Sequence, residues 1–63
     1  MRRIQMENND QDIPEGTYRG MWCHKTLTIP FPEKSITIET PEERKFKMVN
    51  VEIYYNRIVI VED

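Results

Sequence analysis

Cysteine is almost missing from these 63 residues: Cys23 stands alone, so no disulfide can form within the chain. One cysteine beside one histidine, His24, falls short of a four-ligand zinc set, and no cofactor or metal is expected. Glycine occurs only at Gly16 and Gly20, which excludes a glycine-rich phosphate loop. No apolar run approaches the roughly 20 residues that cross a bilayer as a helix. Met1-Arg2-Arg3-Ile4-Gln5 leads into polar residues rather than an apolar signal core, so Arg2-Arg3 does not head a twin-arginine signal. The expected location is therefore cytoplasmic, the host cytoplasm if the source is viral, with no membrane partner. A lone thiol suits such a reducing compartment.

Alanine is absent and leucine occurs once, whereas there are eight isoleucines, four valines and five threonines. Branched side chains lose rotamer freedom in a helix and pack well on a pleated surface, so this inventory belongs to a sheet. A chain this short buries only about 60% of its unfolded surface, and with disulfide and metal excluded, self-association is the expected stabiliser.

The net charge of -2 is segregated. Residues 1–15 sum to -2, residues 16–58 to +2 and residues 59–63 to -2. A weakly positive body with acidic ends and a pI near 5.3 makes general nucleic-acid binding unlikely, because that needs many Lys and Arg contacts to phosphate. The closely spaced Lys, Gly and Phe residues of cold-shock barrels are also missing.

Along the chain, residues 1–12 read as a disordered polar tail, within which Met6 is an alternative start, and residues 13–63 as a single small β domain. Ile13-Pro14-Glu15-Gly16 reads as a turn. Tyr18, Gly20 and Trp22 then share one strand face, but Leu27 and Ile29 follow in the opposite phase, which predicts a bulge or tight turn near Cys23-His24-Lys25. Pro30-Phe31-Pro32 cannot lie in a central strand and forms a loop holding Phe31 outward. Ile36 and Ile38 alternate cleanly until Pro41 closes the strand, and Glu42-Glu43-Arg44-Lys45 reads as a charged turn. A second bulge is expected near Met48-Val49, where the apolar phase changes again. Asn56-Arg57 is the expected hairpin turn, pairing Tyr55 with Ile58, Ile53 with Ile60 and Tyr54 with Val59. The fold expected is all-β: a small antiparallel five-stranded barrel or strongly bent sheet with a flexible N-terminal tail.

Both faces of that last hairpin carry apolar groups. One fills the core, and the other, with Tyr54, Val59 and Val61, calls for a second copy in a homodimer or larger assembly. Catalysis has little to work with. Cys23 and His24 are strand neighbours that point to opposite faces, and Glu42 with Glu43 reads as a solvated pair, so the chain is not expected to be an enzyme.

What remains is a set of aromatic and guanidinium groups suited either to stacking on a base and clamping phosphate or to anchoring a protein contact. Trp22, Phe46 and Tyr55 are the expected core aromatics. The candidate ligand site comprises Tyr18, Arg19, Trp22, Arg44, Tyr54 and Arg57; the candidate protein interface comprises Phe31, Tyr54, Val59 and Val61. The leading expectation is a non-catalytic protein that sequesters a small anionic aromatic ligand, nucleotide-like, at a homo-oligomer interface. The alternative is an inhibitor or adaptor that blocks a host protein through an exposed aromatic loop and apolar hairpin face. Usage rich in Ile, Glu, Lys, Asn and Met suits a viral accessory or anti-defence protein from an AT-rich genome.

Overall fold

The computed structural model describes residues 1–10 and 12–63. Four strands follow in order: β1 (Arg2–Glu7), β2 (Gly16–Pro30), β3 (Ser35–Ile53) and β4 (Arg57–Glu62), with no helix among the described residues. All pair antiparallel in one sheet of order β1-β4-β3-β2. The fold is thus all-β, but the sheet has four strands and does not close into the expected five-stranded barrel.

Bending is forced by length. A straight 19-residue strand such as β3 spans about 60 Å at roughly 3.3 Å per residue, whereas the longest dimension of the molecule is 27 Å. The bend lies where the sequence phase changes on β2: register shifts flank His24, whose φ of 55° is the one positive value outside glycine among the described residues. Trp22 pairs with Lys47, His24 with Arg44 and Thr26 with Glu39. Cys23 therefore faces two residues of β3 and Lys25 faces four, an excess that folds the far arm over the rest of the sheet. Pro41 sits in this unmatched stretch, where its missing amide removes no bond to β2, so β3 runs through the position where the sequence pattern ends a strand. The charged turn at residues 42–45 is likewise part of β3. Between Gly20 and Trp22 the register with β3 is continuous, so the second expected bulge, at Met48-Val49, is absent; Phe46 and Met48 simply belong to the other face.

Folding back brings Leu27 and Ile29 onto Val49, Val51 and Ile53, with Trp22, Ile4, Ile13, Ile58 and Ile60 completing the core. Gly20 lies where the far arm comes close to the sheet. A Cβ there would stand 2.9 Å from Leu27 Cδ1 and 3.3 Å from the Thr28 carbonyl oxygen. The leucine tip can rotate, but the Thr28 backbone is fixed in the far arm. Gly20→Ala should therefore cost about 1–2 kcal/mol through overpacking, read as a lower urea midpoint with an unchanged slope. Gly16 has φ 149° at the entry to β2, a conformation reserved for glycine.

The expected tail is largely structured. Arg2–Glu7 forms β1 along β4, with Ile4 buried and Met6 packed against the core. Asn8 is buried; its side-chain amide donates to the Tyr54 carbonyl at 2.8 Å, and its Oδ1 accepts the Asp10 amide at 3.0 Å. Ile13 inserts into the core at 5% exposure. Gln11, part of the same expected tail, lies outside the described residues.

The last hairpin turns one residue earlier than expected. Ile53 faces Ile58, Val51 faces Ile60 and Glu52 faces Val59, while the Tyr54 amide donates to the Arg57 carbonyl at 2.9 Å. Tyr55-Asn56 is thus the turn in place of Asn56-Arg57, and neither of its residues has a positive φ. The slip of two residues leaves every side chain on its expected face, because the strand period is two.

Candidate functional site

The six candidate ligand residues are distributed over separate places. Trp22 is fully buried. Its indole N–H donates to Thr40 Oγ1 at 3.0 Å and to the Glu42 carbonyl at 3.2 Å, so it has no free face for a base. Arg44 lies over that indole with its guanidinium carbon 4.6 Å from the ring centroid. It donates to both carboxylate oxygens of Glu62, at 2.6 and 2.8 Å, and to Glu42 at 3.3 Å.

Glu62 is the centre of this cluster, a carboxylate only 6% exposed that also accepts from Lys47 Nζ at 3.0 Å. Hydrogen bonds from Arg44 hold its pKa down at about 2 against the opposing effect of burial, and Lys47 adds to them. The same pairing raises the Arg44 pKa. Arg2 extends the cluster by a two-pronged contact with Glu42, lowering the pKa of that carboxyl. Arg44 is therefore occupied in tying the bend of β3 to the end of β4.

Tyr18 packs edge-on against Phe31, ring centroids 4.8 Å apart, and its hydroxyl donates to the Pro14 carbonyl at 2.9 Å. Phe31 is thus half-buried against its own chain rather than held outward. Together with Asp12, Pro14, Pro32, Glu33, Lys34 and Ile36 it lines a cavity of about 300 Å³. Arg19 is exposed on the other face of β2 and donates to Asn50 Oδ1 at 3.0 Å. Tyr54 and Arg57 do meet: the guanidinium lies 4.1 Å from the ring centroid. The structure therefore brings together Trp22 with Arg44 and Tyr54 with Arg57, and joins none of these to Tyr18 or Arg19.

The outer face of the hairpin is covered from within the chain. Arg3 on β1 and Glu52 on β3 stand on either side of β4, and their ion pair at 2.8 Å crosses it. Beneath lie Val59 and Val61, only 4% and 8% exposed. The Tyr54 hydroxyl extends this cover by donating to Glu52 at 2.8 Å. Arg3 and Tyr54 both lower the Glu52 pKa by hydrogen bonding. Long polar side chains of the same chain thus roof the two valines for which a second copy is expected from the sequence.

Exposed bulk lies elsewhere. Phe46 and Tyr55, expected in the core, are each 71% exposed, and Met48 is 43% exposed. Met48 pairs directly with half-buried Met21 across the β2–β3 ladder, and Phe46 stands beside half-buried Cys23 at the first register shift. Sequence reasoning missed this patch because alternation alone does not say which face is inside. The choice is made only in the folded chain, where Val49, Val51 and Ile53 enter the core with Leu27 and Ile29 of the far arm.

Among the described residues no group of three or more His, Cys, Asp or Glu side chains is arranged to hold a metal ion. Among the same residues no helix is long and apolar enough to cross a membrane. No protein-family model matches the chain, and neither the curated proteins nor the solved structures yield a match.

Proposed function

We propose that this chain is a non-catalytic binding module that docks on another protein through the outer face of its β2–β3 hairpin, centred on Phe46 and Met48. The observation carrying this reading is the 71% exposure of Phe46 beside exposed Met48, on a ladder stiffened by continuous pairing from Gly20 to Trp22. A large aromatic held rigidly in water gains most by burial against a partner and loses little conformational entropy there. This modifies the inhibitor or adaptor reading: Phe31, Val59 and Val61 are largely covered by their own chain, and the contact moves to Phe46. An accessory role in a virus belongs to the same proposal, as does the absence of catalysis.

The test is affinity capture from source cells with tagged full-length chain. Phe46→Ser should reduce recovery of the principal partner by about tenfold or more, as expected for an aromatic hot spot, with the melting temperature nearly unchanged because the ring is outside the core. Equal recovery would remove Phe46 from the contact.

One observation favours a second reading, sequestration of a small anionic aromatic ligand. The Arg57–Tyr54 stack borders an open polar groove of about 580 Å³ lined by Gln5, Met6, Glu7, Asn56 and Arg57. On this reading Tyr54 and Arg57 carry the binding. Nucleotides at about millimolar concentration would then raise the melting temperature of the wild-type chain but not of Arg57→Gln.

A further inference from the structure

The open side of the sheet presents a groove and unpaired strand edges away from the Phe46 face. Among the described residues β1 pairs only with β4, and residues 35–39 of β3 pair only with residues 26–30 of β2, because the β3–β4 ladder begins at Asn50. Each stretch therefore presents an unpaired backbone edge, and between them lies a groove of about 260 Å³. Its floor includes Met6, Ile36 and Ile38, each only partly buried. Its rim carries Glu7, Asp10 and Glu39, with no cationic side chain in the lining. Unpaired edges beside an apolar floor invite strand addition, in which main-chain hydrogen bonds supply affinity and alternate side chains enter the floor. The acidic rim selects the sign of the other alternate set.

We propose that this groove accepts an extended peptide segment of a partner protein in which apolar and basic residues alternate. The apolar set covers Met6, Ile36 and Ile38, the basic set meets Glu7, Asp10 and Glu39, and the added backbone supplies the strand that the four-stranded sheet lacks at this side.

The test uses the full chain and a fluorescent peptide alternating lysine with valine. Three comparisons accompany it: the same peptide with glutamate for lysine, the same peptide N-methylated at alternate residues, and the lysine peptide against Glu7→Lys/Glu39→Lys, whose changes are at exposed positions. The lysine peptide should saturate below about millimolar concentration and shift the amide resonances of Met6 and of residues 36–39. Affinity should fall about tenfold or more in each comparison. No saturation at millimolar peptide, equal affinity for the glutamate peptide, or equal affinity for the N-methylated peptide would overturn the proposal. Resonance shifts confined to Phe46 and Met48 would do the same while supporting the outer-face reading.

Discussion

Trp22→Ala should remove the larger part of the chain's folding stability. Removing a buried tryptophan costs about 3–5 kcal/mol, and a domain of this size has roughly 3–9 kcal/mol in total. More than apolar volume is lost at this position. The indole N–H satisfies Thr40 Oγ1 and the Glu42 carbonyl in the stretch where β3 lacks regular pairing with β2, and the ring face carries the Arg44 guanidinium. The same side chain thus fills the core and pins the bend. Trp22→Phe separates these roles: it keeps most of the volume but drops the donor, and should cost about 1–2 kcal/mol. Circular dichroism with urea titration at neutral pH measures both. A Trp22→Ala chain that keeps the wild-type urea midpoint would show that the bend does not depend on the indole.

The second large effect is at Glu62. Glu62→Gln removes the charge accepting three hydrogen bonds from Arg44 and Lys47 and leaves a partly buried guanidinium with Glu42 as its remaining carboxylate partner. The expected loss is about 2–3 kcal/mol, or roughly 10–20 °C in melting temperature for a domain of this length.

The pH dependence has a definite sign. Because the folded pKa of about 2 lies below the ordinary 4.5, the unfolded chain takes up the proton first. The stabilisation by Glu62 is complete above about pH 4.5 and is lost as pH falls toward about 2. Glu42 and Glu52, both lowered by arginine contacts, add slope of the same sign. The melting temperature of the wild-type chain should therefore drop steeply through this range, and that of Glu62→Gln less steeply. Parallel curves for the two proteins would mean that Glu62 is not the acid-sensitive contact.

How far these features are visible in the sequence depends on the range of the interactions that make them. Strand content follows from Ile, Val and Thr usage, and the bend at His24 follows from the phase change between Trp22 and Leu27, both local signals. β1 was also encoded, in the alternation of Arg3, Ile4, Gln5 and Met6, but the polar run after it disguises so short a strand as a tail. The passage of β3 through Pro41 depends on a mismatch with β2 that exists only once the two strands pair. Phe46 illustrates the same limit. Its phase within the strand is legible, yet the choice of outer face is made by Val49, Val51 and Ile53 packing on the far arm. For the candidate site, the arginines and aromatics were recognisable as groups able to bind. That Arg44 would instead be consumed by Glu62 and Trp22 required the fold.

On the proposed reading this chain docks on another protein through a preformed outer face, with its hairpin already covered by its own side chains. Native mass spectrometry of the chain purified without denaturation from its source cells tests it most directly, since subunit number and bound mass are read together. One copy of the chain carrying one protein partner is expected, with the complex lost in Phe46→Ser. A homodimer or larger assembly of the chain carrying added mass in the nucleotide range would contradict it.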